Sequence, residues 1–273
     1  MRIEASTLLA SLILSIPCVA PAAILDNVKL QPETERAFDR YTASVEATQK
    51  ADPLTERFFW MRDPAEQSKV RGGNIRTVRQ TLGAGQAIDV PGGQIHDLSG
   101  AMFLPGHTIA QVKAVRQDYA NYKKLYAPEV VSSWARPGAG EDAEVILRLR
   151  QKHVITVLLN ACFHTGYESL NPHTMNIYSR SVQITEANLP DPCTQAAANG
   201  DDRGFLWKLN SYWRLFEADG GVYVECRAVS LSRDIPGGLH WAHRLLDGFI
   251  NSFPQESLSN LLSATRRAVN GAG

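Results

Sequence analysis

Residues 205–217 read Phe-Leu-Trp-Lys-Leu-Asn-Ser-Tyr-Trp-Arg-Leu-Phe-Glu, and residues 222–232 read Val-Tyr-Val-Glu-Cys-Arg-Ala-Val-Ser-Leu-Ser, with Asp219-Gly220-Gly221 between them. Phe205, Trp207, Leu209, Trp213 and Leu215 alternate with Lys208, Asn210, Tyr212 and Arg214, the period of a strand whose two faces meet unlike surroundings. Gly220-Gly221 supplies the positive backbone angles of a tight hairpin. Arg233-Asp234-Ile235-Pro236-Gly237-Gly238 then breaks the strand. Leu258, Leu261, Leu262, Thr265 and Val269 recur at helical spacing, so a last helix can lay one apolar stripe across the sheet. A long hairpin feeding a covering helix is one way to enclose a pocket.

Upstream, Pro91-Gly92-Gly93 opens a domain whose first strand runs from Gln94 to Leu104. Thr108 with Gln111 forms a capping box ahead of Ile109, Val112, Val115, Tyr119 and Tyr122, which predicts a helix, bent toward its end, that stops at Pro128. Strands are expected over Ala143 to Lys152, Ile155 to Tyr167 and Met175 to Ala187. The polar loop from Asn188 to Arg203 is long enough to serve as a flap. Before this domain, Pro32 suits the start of a surface helix reaching Ala51. Phe58-Phe59-Trp60-Met61 is an apolar burst that would dock that helix on the body, and a short irregular meander follows to Val90.

The first two dozen residues stand apart. Arg2 precedes the apolar run Leu8 to Ile16 and then Ala20-Pro21-Ala22, the pattern of a cleavable secretory leader, so residues 1–22 are expected to be a signal peptide and the protein periplasmic or secreted. No later stretch approaches the ~20 apolar residues of a membrane span. The 273 residues carry 28 basic and 28 acidic side chains, a balance that gives no electrostatic reason to expect nucleic acid as a partner. With the leader removed, Cys162, Cys193 and Cys226 remain, an odd number for an oxidising compartment. One disulfide with one free thiol and three free thiols are both open, and small buried side chains are the simpler reading.

One strand, a helical insertion, five strands and a terminal helix resemble the START-like superfamily, also called SRPBCC or helix-grip. The likeness rests on residues 117–122 (Gln-Asp-Tyr-Ala-Asn-Tyr) with 126–130 (Tyr-Ala-Pro-Glu-Val), on residues 205–214, and on residues 221–226. It implies an α+β helix-grip fold over residues 91–273, a curved antiparallel sheet wrapped around the C-terminal helix. Residues 23–90 would then form a helical and meandering N-terminal extension. The superfamily includes lipid and sterol carriers, quinone-binding proteins and polyketide cyclases, so the resemblance implies a ligand cavity more closely than an activity.

Two candidate sets follow. Trp207, Leu209, Trp213, Leu215, Val224 and Cys226, facing Leu258 and Leu262 of the last helix, are the expected cavity wall. His164, Arg180, Tyr212, Arg214 and Glu225 lie on the polar face. One side of an antiparallel sheet normally faces water, which makes that face an outer one; the alternative is a cavity wall whose arginines hold a carboxylate or phosphate. His240 and His243, with Asp247 one turn further on, could share a helix face, but the three need not converge on a metal and read as a solvated surface group; no nucleophile or zinc motif is present. No cofactor or metal is expected. The reading is a non-catalytic carrier of a lipid or other apolar small molecule; its rival is an enzyme of the cyclase or hydrolase kind that uses the polar set in the same cavity.

Overall fold

A computed structural model describes residues 28–51, 63–80, 88–152, 156–196, 204–234 and 253–271. The leader, the Phe58–Met61 burst, and the segment with His240, His243 and Asp247 lie outside the described residues. In chain order the elements are α1 (Pro32–Ala51), α2 (Pro64–Arg71), β1 (Arg76–Arg79), β2 (Ile88–Val90), β3 (Gly93–Pro105), α3 (Ile109–Gln117) and α4 (Tyr122–Leu125). They continue as β4 (Val130–Pro137), β5 (Ala143–Lys152), β6 (Thr156–Asn171), β7 (Thr174–Thr185), β8 (Lys208–Ala218), β9 (Gly221–Arg233) and α5 (Phe253–Gly271).

The nine strands make one antiparallel sheet in the order β1-β3-β9-β8-β7-β6-β5-β4, with β2 also on β3. The first strand of the domain thus pairs with its last, and the meander adds two short strands to the edge of the same sheet. The helical insertion between β3 and β4 leaves the sheet at one edge and returns at the other. With α5 held against one face, this is a helix-grip fold.

Alternation decides which side each residue takes. On β8, Leu209, Trp213 and Leu215 point to the concave face, where α5 sits; on β9, Val224, Cys226 and Ala228 do so. At one end of this face the packing is dense: Leu98, Met102, Trp213, Leu215, Val224 and Cys226 are buried against Leu258, Leu262 and Val269 of α5. The close approach depends on Gly100, where an added Cβ would fall 2.6 Å from Leu262 Cδ1 and 3.2 Å from Leu258 Cγ. Helical spacing on α5 therefore meets a strand that has been cut back to receive it.

The convex face is covered too, by elements that the sequence reading placed in a separate extension. Phe38 and Val45 of α1 pack on Ile95, Trp207, Tyr212, Val229 and Leu231. Val70 of α2 packs on Ala101, Phe103 and Tyr223. The polar side chains of this face are tied to the helix above them: Arg180 Nε and Tyr212 Oη donate to Glu46 Oε1 at 2.7 and 2.9 Å, and Lys208 pairs with Glu35 at 2.6 Å. Asp97 accepts from Arg227 and from Tyr41. Under α1 and α2 the outer sheet face has become a second interior, with its charges paired across it.

Three local expectations change. Val130–Pro137 is a strand, β4, where no element was expected; it is an edge strand with an exposed Trp134, and its serine pair and terminal proline hide the alternation. The positive angles of the β8–β9 turn belong to Asp219 (φ 55°) and Gly220 (φ 74°), while Gly221 begins β9. Gly221 is small for another reason, since a Cβ there would lie 2.4 Å from Leu104 O. Finally, Cys162 and Cys193 form a disulfide and Cys226 is free and buried, which settles the cysteine alternatives. The capping box forms as expected, with Gln111 N donating to Thr108 Oγ1 and Thr108 N donating to Gln111 Oε1.

Candidate functional site

At the other end of the concave face the sheet and α5 do not close on each other. Val145, Leu147 and Leu149 of β5, Phe163 of β6 and Leu209 of β8 face Leu261 and Ala264 of α5 across a chamber of about 220 Å³. Next to it a chamber of about 140 Å³ is bounded by His96, Leu98, Phe205, Leu206 and Leu258. Gln151, Leu209, Ala228, Ser257 and Leu261 belong to the walls of both, so the two adjoin. Apolar lining broken by a few polar groups is the usual make-up of a small-molecule site, although each chamber is smaller than the ~300–1,000 Å³ typical of one.

Small residues make this space. Along β8 and β9 the concave positions Trp213, Leu215, Val224 and Cys226 fill the dense end, whereas Ser211 and Ala228 stand at the chamber end. Where two short side chains oppose each other, the helix bridges over them without reaching the sheet. The exposed side chains of Arg150 and Asn260 lie on the wall of the larger chamber, with Asn260 Nδ2 donating to Glu129 Oε1 at 3.1 Å, and mark the side on which it meets solvent.

The inner end of the larger chamber is formed by the α3–α4 insertion. Arg116, in the last turn of α3, is 7% exposed and stands on the chamber wall. Its guanidinium lies 4.3 Å from the ring centroid of Trp213 and 5.6 Å from that of Tyr122. Nη1 donates to Tyr126 Oη at 3.2 Å, Nε has no hydrogen-bond partner among the described residues, and no carboxylate among them pairs with the group.

The surrounding phenols cannot supply the missing charge. Tyr122 and Tyr167 both donate their hydroxyl protons to the carbonyl of Arg116, at 2.6 and 2.9 Å. Tyr119 Oη, 2.8 Å from Tyr167 Oη, must then be the donor of that pair. Thr265 donates to Leu261 O at 2.9 Å, so Tyr126 is the donor in its 3.2 Å contact with Thr265. Burial raises Tyr119, Tyr122 and Tyr167 above the ordinary phenol value, so these three rings are neutral near pH 7. The result is a buried cation surrounded by rings and hydroxyls, with no anion beside it among the described residues.

His96 is the titratable group of the smaller chamber, beside Gln151, Ser230, Ser232 and Ser257. Its Nε2 lies 3.2 Å from Ser232 Oγ and its Nδ1 3.5 Å from Arg79 Nη1. Burial, with Arg79 adding repulsion, pushes the imidazole down to about 4, so it is uncharged under ordinary conditions.

The sequence-derived candidates fall in four places. Leu209 lines both chambers and Leu258 the smaller. Trp213, Leu215, Val224, Cys226 and Leu262 are packed in the dense end of the concave face, where burial raises the Cys226 thiol to about 12 and leaves it inert. Trp207 is on the convex side with Phe38, because Trp207 and Lys208 both pair opposite Leu231 and the alternation slips there. His164, Arg180, Tyr212, Arg214 and Glu225 occupy convex-facing positions and line neither chamber; His164 pairs with Asp142 at 3.3 Å. Arg116, His96 and the tyrosines of the insertion were not anticipated as lining. The repeated tyrosines at 119, 122 and 126 are the one signal that pointed to them, since rings at helical spacing beside a polar turn imply a partner for each hydroxyl.

No family model and no curated relative matches the sequence. Among solved structures the chain is similar to a STAR-related lipid transfer protein fragment from Xanthomonas axonopodis (15% identity, 67% of this chain and 97% of that one, TM-score 0.43). It is also similar to a START superfamily protein from Mycobacterium smegmatis (12% identity, 65% and 99%, TM-score 0.44). A third is the Zhui aromatase/cyclase of a Streptomyces species (12% identity, 65% and 93%, TM-score 0.45). The order of its own strands and the seat of its last helix give this chain a START-like, helix-grip fold.

Proposed function

We propose that the protein binds and carries an apolar small molecule, a lipid or a compound of similar character, between the sheet and α5. The observation that supports this reading is the pair of adjoining chambers, enclosed mainly by aliphatic and aromatic side chains at the end of the sheet where Ser211 and Ala228 replace larger residues. The rival, a reaction run by His164, Tyr212, Arg214 or Glu225, would need those groups beside the ligand, and they stand across the sheet from it. A leader-like N-terminus and the Cys162–Cys193 disulfide support a place outside the cytoplasm.

Native mass spectrometry of the purified full chain, followed by solvent extraction, tests the reading. A copurifying apolar molecule is expected, and Leu209→Trp, which pushes an indole into the wall shared by both chambers, should lose it while remaining folded. A protein that emerges empty and binds no aliphatic or aromatic probe would defeat the proposal.

A further inference from the structure

We infer that the molecule held here is an amphiphile with a single anionic head, a carboxylate or a phosphate, whose charge is met by Arg116 at the inner end of the larger chamber. This rests on the ligand-binding reading above and narrows it to a chemical class.

The argument starts from an imbalance. A charged group taken out of water carries a heavy penalty unless a counter-charge and hydrogen bonds replace its hydration. The Trp213 ring at 4.3 Å, the Tyr122 ring at 5.6 Å and the single bond to Tyr126 offset part of that without supplying a counter-charge. Elsewhere in the molecule a partly buried arginine is treated differently. Arg227, on the convex face, donates three hydrogen bonds to Asp97 between 2.6 and 3.2 Å. Arg116 alone among the cations described on the chamber walls is buried, and its described neighbours hold it by ring faces and hydroxyls while leaving the charge unanswered.

The geometry also fixes the orientation of the guest. Val145, Leu147, Leu149, Phe163 and Leu209 offer only hydrocarbon, so the body of the ligand lies along them and toward the smaller chamber. His96, the one titratable group among the residues described on its wall, is uncharged and adds no second charge to meet an anion. An amphiphile that entered from the side of Arg150 and Asn260 would therefore travel head first to Arg116, or bind tail first with its charge unmet. The guanidinium favours the first by the strength of a charge-assisted hydrogen bond.

Trp213 provides the readout, since an anion arriving at the guanidinium changes the field over the indole. Dodecanoic acid, dodecyl phosphate and dodecanol share a tail and differ in head, and their binding to the delipidated full chain can be followed by tryptophan fluorescence and by calorimetry. At pH 7 at least one anionic probe should bind roughly 10- to 100-fold more tightly than the alcohol, and which of the two does so identifies the head. The advantage of the acid should vanish as the pH falls below its carboxyl pKa of about 4–5. Arg116→Met should abolish the preference and leave alcohol binding unchanged, while Arg116→Lys keeps part of it. Equal affinity for acid, phosphate and alcohol in the unmodified protein would overturn the head-group assignment and leave the carrier reading intact. Failure of all three probes to bind would overturn both. A preference that survives in Arg116→Met would assign the anion to another group and likewise sink the inference.

Discussion

Arg116 shows how little of a residue's role is visible from its neighbours in the chain. A basic side chain in the last turn of a helix ordinarily complements the helix dipole at the surface. Here it sits on the inward side because Val112 and Val115 dock α3 on the core and Trp213 receives the guanidinium from the sheet, ninety-seven residues later in the sequence. His96 makes the same point and yields a test. Its folded value of about 4 lies below the ordinary 6.5, so the unfolded chain binds a proton more readily than the folded one between those limits. Stability is fully present above about 6.5 and falls as the pH drops toward about 4, with a slope from this residue of up to ~1.4 kcal/mol per pH unit. Denaturant titrations across that range should show the slope, and His96→Asn should flatten it. A slope unchanged in the variant would assign the effect to carboxylates instead.

At the scale of elements, the insertion and the loop after β7 carry what distinguishes this sheet. The capping box marks where α3 begins, and Asp118 ends it so that the 3-10 turn at Tyr119–Asn121 and α4 can set Tyr119, Tyr122 and Tyr126 around Arg116, whose carbonyl accepts from Tyr122 and from Tyr167 of β6. The loop expected to be a flap is anchored over its described part: Cys193 is bonded to Cys162 of β6, Asp191 accepts from Arg136 of β4 at 2.5 Å, and Asn160 Nδ2 donates to Ala187 O at 2.6 Å. These ties lie on the convex side, over the buried Ile146, so this loop braces the outer wall of the chamber strands. Closing a loop of this length by a disulfide stabilises by about 3–4 kcal/mol on a chain-entropy view. Cys162→Ser with Cys193→Ser should lower the unfolding free energy by an amount of that order in urea. The difference should disappear when both proteins are compared under strong reductant, and its persistence there would mean that the serines themselves do the damage.

For the molecule as a whole, α1 is the unexpected partner, since it turns the polar face of the sheet into an interface. Burial works against the charge of Glu46, but hydrogen bonds from Arg180 and Tyr212 outweigh it and hold the carboxyl below its ordinary value. The stability it contributes is present above the unfolded carboxylate value and lost as the pH falls through the lower folded one. Because the pair is partly exposed, Glu46→Gln should cost only about 1 kcal/mol at pH 7, and the deficit should close at low pH. An undiminished deficit there would place the effect in packing. What the sequence by itself determined was local and periodic: the hairpin, the capping box, the stripe of α5 and the alternation that sorts the strands into two faces. It could not say which face was which, because polar residues facing a helix with matching charges alternate in the same way as polar residues facing water. Nor could it show that Ser211 and Ala228 leave a space, or that Arg116 looks into it. Those follow only when strands far apart in the chain are laid side by side and the volume of each side chain is set against what stands across from it.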